Sequence, residues 1–332
     1  MPAGDRAFPS PGARASLPAM TTLLLTHPDC LGHVPPQGHP EHPARLEAIA
    51  RALAAPEFAP LQREDAPPCD EADLLRCHPA AHVGRLRALM PAEGMVQLDP
   101  DTHAGPGTWA AALRAVGAAC RAVDAVLAGE VRNAFAAVRP PGHHAEAETP
   151  MGFCLFGAVA IAAKRALDVH GLSRVAIVDF DVHHGNGTQA LLWDEPRIRF
   201  VSSHQMPLWP GSGHPDERGA HGQILNLPLR PGSGGAEMRA AFAVRALPIL
   251  DAFTPQLLIL SAGFDAHAAD PLAQLDWQTE DFALLTRDLC ALARRHCGGR
   301  VVSVLEGGYD LAALGDSVAA HVRELMRAGH EG

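Results

Sequence analysis

Two carboxylates and an imidazole alternate with apolar side chains at residues 179–183, where the chain reads Asp, Phe, Asp, Val, His. In an extended chain, alternate side chains share one face, so Asp179, Asp181 and His183 are presented together. The segment follows a short apolar run, and burying unpaired carboxylates there is costly unless a cation is bound. The pattern therefore predicts a metal site.

Asp265 follows another apolar run and is the expected third ligand beside Asp181 and His183. Three protein ligands with an open position suit a catalytic Zn²⁺ better than a closed structural site. Asp179 would then orient an imidazole or bind a second, hard cation. Taken alone, any one of these carboxylates could instead cap a helix or close a turn.

Two adjacent histidines, His143 and His144, follow the rigid Arg-Pro-Pro-Gly turn at 139–142. Imidazoles beside a metal can move protons near neutral pH, because their ordinary pKa is close to it. Adjacent histidines are weak evidence by themselves in a chain with 19 of them, and a pair of exposed loop residues is the alternative.

The single tyrosine of the chain, Tyr309, follows Glu-Gly-Gly at 306–308. Glycines allow the backbone to turn sharply and to approach a ligand closely. A phenol placed there can donate a hydrogen bond to an oxygen on which negative charge develops. The alternative is a packing role, which this chain gives more often to its 11 phenylalanines.

These polar segments each follow a short apolar run that predicts a β-strand. The predicted strands are residues 134–138, 175–179, 198–203, 257–262 and 301–305. Because the carboxyl ends of parallel strands meet at one edge of a sheet, the polar residues should converge there. We predict a single α/β domain, with a mainly parallel sheet, helices on both faces and the site at the carboxyl ends of the strands.

The clearest helix prediction begins at Thr108. Apolar residues recur from Trp109 to Leu127 at steps of three and four, so one stripe faces a core. Thr108 is expected to cap this helix and Gly129 to end it. A further helix is expected to begin near Gly152.

Composition excludes several classes of protein. The 332 residues include 27 Lys plus Arg against 37 Asp plus Glu, and a formal net charge of −10 disfavours direct nucleic-acid binding. The longest apolar run is about ten residues, too short to cross a membrane. The motifs of dinucleotide, nucleotide, zincin and serine-hydrolase sites are absent.

The seven cysteines form no CxxC pair, and their odd number favours a reducing, cytoplasmic location. Residues 1–20 are rich in Pro, Gly and Ala and are expected to form a flexible N-terminal extension, followed by one domain at 21–332. The sequence leaves the oligomeric state open.

Four ordered segments together resemble motifs of the histone deacetylase superfamily: residues 139–144, 179–189, 261–265 and 306–309. The resemblance runs from about residue 21 to residue 313 and is greatest to the class II and bacterial amidohydrolase branch. That branch includes acetylpolyamine amidohydrolases and acetoin-utilisation proteins. The resemblance implies an arginase/deacetylase-like domain that hydrolyses an N-acyl amide, in the simplest case N-acetyl, and releases acetate and an amine.

The resemblance also assigns roles. It makes Asp181, His183 and Asp265 the zinc ligands, His144 the general base and then acid, and Tyr309 the group that polarises the substrate carbonyl. His143 becomes an electrostatic helper paired with Asp179. A structural K⁺ would involve Asp179, Asp181, His183 and Ser202.

The substrate implied is an acylated amine such as acetyl-lysine or an acetylpolyamine. Phe153 and Trp209 would line a narrow acyl tunnel, with Gly152 and Gly307 beside it. Asp101 is a candidate for holding a peptide backbone at the rim. Arg45 matches a residue near the family's inner product channel.

Three departures from the family pattern affect these expectations. Asn186 stands where some members have Asp, so it can set the tautomer of His144 without adding negative charge. Leu272 stands where a polyamine-specific branch has Glu, which argues against strict polyamine specificity. Gly157 and Ala158 replace an Asn-rich pair that supports the site.

Three functions therefore remain open. The first is a zinc-dependent deacetylase or amidohydrolase, with acetylpolyamines as the alternative substrates. The second is a binuclear manganese ureohydrolase of arginase type, although Ala266 and His267 do not supply the usual Asp-x-Asp pattern after Asp265. The third is a non-catalytic binder that keeps the fold.

Overall fold

The computed structural model describes residues 21–330. Eight of the strands in these residues form one sheet in the order β2-β1-β5-β10-β9-β6-β7-β8, and every neighbouring pair is parallel. The remaining two, β3 and β4, form an antiparallel pair. The strands are β1 Thr22–Thr26, β2 Gln62–Asp65, β3 Val96–Asp99, β4 Thr102–Ala104, β5 Asn133–Ala136, β6 Val175–Asp179, β7 Ile198–Gln205, β8 Ile224–Leu229, β9 Leu257–Ala262 and β10 Val301–Leu305.

Two layers of helices cover the sheet: α1, α9 and α10 pack together, while α4 packs against α5, and both layers contact the central strands. The helices are α1 Ala44–Ala52, α2 Glu71–Leu74, α3 Ala80–Leu89, α4 Thr108–Ala128, α5 Ala158–Asp168, α6 Asn186–Leu191, α7 Gly235–Ala241, α8 Leu247–Phe253, α9 Thr279–Cys297 and α10 Leu311–His330. Short 3-10 helices lie at Pro28–Gly32 and Pro56–Phe58, and a π-helical turn at Phe242–Ala246 joins α7 to α8. Each layer buries the apolar stripe of its helices, so the predicted fold class is confirmed.

The five predicted strands are all present as β5, β6, β7, β9 and β10. Strands β6, β9 and β10 have the predicted bounds, because each is buried along its whole length and is mostly apolar, with Asp179 at the end of β6 and one serine in each of the other two. Strand β7 continues to Gln205 because it pairs with β8 as far as Leu229. Strand β5 ends at Ala136, two residues earlier than predicted.

Helix α4 confirms one predicted boundary and corrects another. It ends at Ala128, and Gly129 follows with a left-handed φ of 75°, as expected for a glycine that ends a helix. The capping role predicted for Thr108 is wrong, because Gly107 is the cap residue. The Thr108 hydroxyl is buried and instead accepts a hydrogen bond from the backbone amide of Gly105.

The helix expected to begin near Gly152 begins later, at Ala158. Gly152 and Phe153 both have positive φ values, 56° and 69°, and form a tight turn before it.

None of the helices in the described residues is long and apolar enough to span a membrane. The predicted extension at residues 1–20 lies outside the described residues.

Candidate active site

The three candidate metal ligands come from loops that follow two neighbouring strands. Asp181 and His183 follow β6, Asp265 follows β9, and one ligand atom from each lies within 4.8 Å of the others. His183 Nδ1 lies 3.2 Å from Asp181 Oδ1 and 3.2 Å from Asp265 Oδ2. Within residues 21–330, no second group of this kind could hold a metal ion.

Backbone amides orient both carboxylates. The Val182 amide donates to Asp265 Oδ1 at 2.9 Å, and the Gly307 amide donates to Asp181 Oδ2 at 2.8 Å. A Cβ atom at Gly307 would overlap the carboxylates of Asp181 and Asp265, and one at Gly263 would overlap Asp181. Glycine is therefore required where the loop after β10 approaches the cluster.

The charges in this cluster favour a bound cation. Burial and the negative charge of Asp181 raise the pKa of Asp265 to about 7. Burial opposes ionisation of Asp181, but the charge of His143 and a hydrogen bond from His183 hold its pKa below the ordinary range. Burial also opposes protonation of His183, yet its hydrogen bonds to both aspartates raise its pKa to about 10. Two buried carboxylate oxygens and an imidazole nitrogen are a donor set that fits Zn²⁺.

His143 and His144 lie beside this cluster, with ring centroids 3.9 Å apart. His143 Nδ1 donates to Asp179 Oδ2 at 3.0 Å, and its Nε2 lies 3.7 Å from Asp181 Oδ2. His144 Nδ1 and Asn186 Oδ1 are 2.8 Å apart. Because the amide oxygen can only accept, His144 carries its proton on Nδ1, and Nε2 of the neutral ring is left to accept another.

The two histidines differ in charge at neutral pH. Burial, with the nearby positive charges of His143 and His183, holds the pKa of His144 well below its ordinary value. Burial also opposes protonation of His143, but the surrounding carboxylates, Asp181 foremost, raise its pKa well above the ordinary value. One ring is therefore a cation and its neighbour is a neutral base.

Two carboxylates without a predicted role organise these histidines. Asn186 Nδ2 donates to Glu146 Oε1 at 3.0 Å, which sets the orientation of the Asn186 amide. Glu306 Oε2 accepts hydrogen bonds from the backbone amides of Gly142 and His143. Glu306 directly follows β10, so the rule that polar residues after buried strands converge could have identified it.

Tyr309 lies on the loop after β10, beside the cluster. Its backbone amide donates to Asp270 Oδ2 at 2.7 Å. Its ring centroid is 5.9 Å from that of Phe153 and 5.0 Å from Arg45 Cζ. Burial and the negative charge of Asp265 raise the pKa of Tyr309 well above its ordinary value, so the phenol keeps its proton and remains a donor.

Aromatic and glycine residues form walls next to His144. The Trp209 ring lies 4.6 Å from the His144 ring, and the Trp209 side chain is 42% exposed. A Cβ atom at Gly152 would overlap both rings, so the close approach of this turn to them requires glycine. Asp101 Oδ1 accepts a hydrogen bond from the Gly152 amide at 3.1 Å. Asp101 thus supports the turn that carries Gly152 and Phe153.

Ser202 and Leu272 lie next to other predicted site residues. Ser202 is the register partner of Asp179 across β6 and β7, and its hydroxyl is 3.0 Å from His204 Nδ1. The Leu272 amide donates to Asp270 Oδ1. Because Asp270 also accepts from the Tyr309 amide, Leu272 lies on the segment that supports the tyrosine.

A buried ionic network supports the same loop. The side chains of Arg45, Arg139 and Glu41 have no exposed surface, and Glu41 accepts hydrogen bonds from both arginines. Burial opposes ionisation of Glu41, but Arg139 holds its pKa well below the ordinary value. Arg45 also donates to the carbonyl oxygens of Glu306 and Gly308 at 2.5 and 2.6 Å. No local sequence pattern indicates a role for Glu41.

The fold and the site define a single-domain α/β protein with a buried carboxylate–imidazole cluster and a histidine pair at the carboxyl edge of a parallel sheet. Residues 39–325 match the histone deacetylase domain family. The chain therefore belongs to the histone deacetylase family, whose members are hydrolases described as deacetylases and amidohydrolases. The resemblance found in the sequence is confirmed.

Relatives in plants and bacteria cover most of the chain. It is 42% identical over 293 residues to the histone deacetylase-like amidohydrolase of Pseudomonas aeruginosa, covering 87% of this chain and 77% of that protein. It is 41% identical over 325 residues to chloroplastic histone deacetylase 14 of Arabidopsis thaliana, covering 92% and 76%. The crystal structure of the HDA15 HD domain superposes with a TM-score of 0.87 at 34% identity, covering 94% of this chain and 92% of that one.

Proposed function

We propose that the protein is a zinc-dependent hydrolase that cleaves an N-acetyl amide and releases acetate and an amine such as a lysine side chain. The observation that carries this proposal is the placement of a neutral, Asn186-oriented His144 beside the ligand set Asp181, His183 and Asp265. A base with a free Nε2 next to a metal-binding cluster is the arrangement that amide hydrolysis requires.

Asp181, His183 and Asp265 would hold the zinc ion. When bound there, Zn²⁺ supplies Lewis-acid polarisation of the amide carbonyl and lowers the pKa of a water molecule. Asp179 and Ser202, neighbours across β6 and β7, would contribute to a structural K⁺ site. The fully buried Asp179 carboxylate supports that assignment.

The side chains around this centre divide the proton transfers between them. His144 Nε2 takes a proton from the attacking water and later delivers it to the nitrogen of the leaving amine. Asn186 keeps the His144 ring in the tautomer that makes this possible. His143, protonated and bonded to Asp179, stabilises negative charge that develops nearby. The Tyr309 hydroxyl donates to the former carbonyl oxygen as it becomes negative.

The walls of the site favour a slender acylated amine. Phe153, Trp209 and Gly152 would flank its acyl chain, Gly307 would lie beside the reacting carbonyl, and Asp101 would hold the turn that forms one wall. Leu272 offers no carboxylate to bind a polyamine nitrogen, so we propose acetyl-lysine side chains as the preferred substrates. Acetylpolyamines are the alternative.

A cytoplasmic location remains a prediction from the odd number of cysteines.

The test is turnover of acetyl-lysine peptides, acetylputrescine and acetylspermidine by metal-loaded protein, with His144→Ala and Tyr309→Phe as variants. We expect turnover that a chelator abolishes and Zn²⁺ restores, and a loss of about 10²-fold or more in each variant. His221→Ala, at an exposed position, is the control and should be fully active. Undiminished turnover in both site variants would overturn the roles. Two Mn per chain with urea release from a guanidino substrate would instead indicate the arginase-type alternative.

A further inference from the structure

A groove rich in arginine lies at the opposite end of the sheet from the candidate active site. Two adjoining recesses of about 590 and 360 Å³ share Arg199 and Ile249 in their walls, and together they are called the groove here. Arg174 directly precedes β6, and Arg199 is the second residue of β7. These positions lie at the amino ends of the strands, whereas Asp181, His183 and Asp265 follow the carboxyl ends.

Four arginines line this groove, and no carboxylate does. They are Arg174, Arg199, Arg218 and Arg245. Within residues 21–330 none of the four forms an ion pair, although the protein as a whole carries a net charge of −10. Other arginines on the surface do form ion pairs, as Arg197 does with Glu195. Four guanidinium groups without an ion pair along these two recesses create a local positive potential that attracts anions.

Arg199 is the most constrained of the four. Its Nη1 donates to the Gly222 carbonyl oxygen at 2.6 Å, its guanidinium lies 5.4 Å from the Phe253 ring, and its buried Nε has no hydrogen-bond partner. Burial lowers the pKa of Arg199, and no carboxylate offsets this effect. A bound anion would supply the missing countercharge.

Two neighbouring acidic groups are directed elsewhere. Glu217, adjacent to Arg218 in the chain, accepts hydrogen bonds from the backbone amides of Gly213 and His214. Asp251 on α8 pairs with Arg295 on α9. Glu217 and Asp251 therefore do not neutralise the groove.

The wall opposite β7 combines apolar side chains with an irregular helix. Ile249 and Phe253 lie on α8, and Val244, which is 75% exposed, lies with Arg245 on the π-helical turn Phe242–Ala246. Single π-helical turns are rare and occur often at functional sites. The groove thus offers guanidinium donors together with apolar surface for an organic group.

We propose that this groove binds a small organic anion that carries two or more phosphate groups. Guanidinium groups bind phosphate oxygens with paired N–H donors, and the groove is open to solvent, so a small anion can reach them. Aliphatic and aromatic side chains beside the arginines suit the organic part of such a ligand. The site is separate from the acyl-amine site and does not depend on its chemistry.

The test is calorimetric titration of the zinc-loaded protein with ADP at low ionic strength, with pyrophosphate in parallel. We expect one ADP per chain, bound more tightly than pyrophosphate, with an affinity that falls as NaCl is added. In Arg218→Gln/Arg245→Gln the dissociation constant for ADP should rise at least about tenfold. Neither residue belongs to the candidate active site, so turnover of an acetylated substrate shows that this variant is folded.

The matched control is Arg51→Gln/Arg230→Gln, which removes the same charge from exposed positions outside the groove. It should bind ADP as the unmodified protein does. Equal weakening in both double variants would show nonspecific attraction and overturn the proposal. ADP binding unaffected by either pair would place the nucleotide outside the groove and would overturn the proposal as well. An acidic peptide that binds through Arg218 and Arg245 where ADP does not would show that the groove serves a protein segment instead.

Discussion

The carboxylate of Glu306 accepts a hydrogen bond from the backbone amide of His143 at 3.1 Å, and the same oxygen accepts from the Gly142 amide at 2.7 Å. Its other oxygen accepts from the Ser261 hydroxyl at 2.9 Å. Glu306 follows β10, whereas the histidine turn follows β5, and these strands are neighbours in the sheet. One buried side chain therefore ties the turn that carries the proposed base to the loop that carries Tyr309.

Replacing Glu306 should separate its hydrogen-bonding role from its charge. Glu306→Ala leaves buried amides unpaired and should lower the free energy of unfolding by about 1–3 kcal/mol for each lost partner. Glu306→Gln keeps an acceptor oxygen and should lose much less stability. Urea unfolding of both variants measures the difference. Equal losses in the free energy of unfolding would contradict a stabilising role for the hydrogen bonds to the backbone amides.

Gly307→Ala should abolish metal binding. The added Cβ atom would overlap the carboxylates of Asp181 and Asp265, which have to converge on one ion. Metal analysis after dialysis should fall from about one Zn²⁺ per chain to near zero. Gly84→Ala on α3 is the control, since a Cβ atom there meets open space and alanine favours a helix by roughly 0.5–1 kcal/mol. Full zinc occupancy in Gly307→Ala would contradict the proposed ligand set.

Asn186→Ala should reduce catalysis without removing the metal. Loss of the acceptor for His144 Nδ1 leaves the ring free to adopt the other tautomer, in which Nε2 cannot accept a proton. We expect kcat/KM to fall by about 10–100-fold with an unchanged zinc content. A proportional loss of zinc would indicate instead that Asn186 acts by holding the ligand loop in place.

His321 should make the stability of the protein depend on pH. Its ring is buried between Thr286 and Ser303, and burial lowers its pKa to about 3 from an ordinary value of 6.5. Below pH 6.5 the unfolded chain therefore binds a proton that the folded protein does not. The contribution of His321 is complete above about pH 6.5 and is lost as the pH falls towards 3, by an amount on the order of 5 kcal/mol.

The pH dependence of unfolding tests this expectation. His321→Gln should lose less stability than the unmodified protein between neutral and acidic pH. His221→Gln, at an exposed position, should follow the unmodified protein. If the free energy of unfolding falls equally with pH in all three proteins, His321 does not cause this pH dependence.

Local sequence patterns determined a large part of this structure. The apolar runs predicted β6, β9 and β10 with their observed bounds, because strands buried on both faces are mostly apolar. The alternation at residues 179–183 predicted that Asp181 and His183 share a face. The convergence rule for parallel strands then placed Asp265 beside them.

Other features were decided only by the tertiary structure. Thr108 has the side chain of a helix cap, but its hydroxyl is engaged by Gly105 and the cap falls at Gly107. Glu41 is unremarkable in the sequence, yet it is buried between Arg45 and Arg139, the second of which comes from a distant part of the chain. The arginines of the groove are likewise far apart along the chain. Hydrophobic periodicity reports which face of one element is buried, whereas contacts between charged side chains depend on which elements pack together, and no local pattern records that.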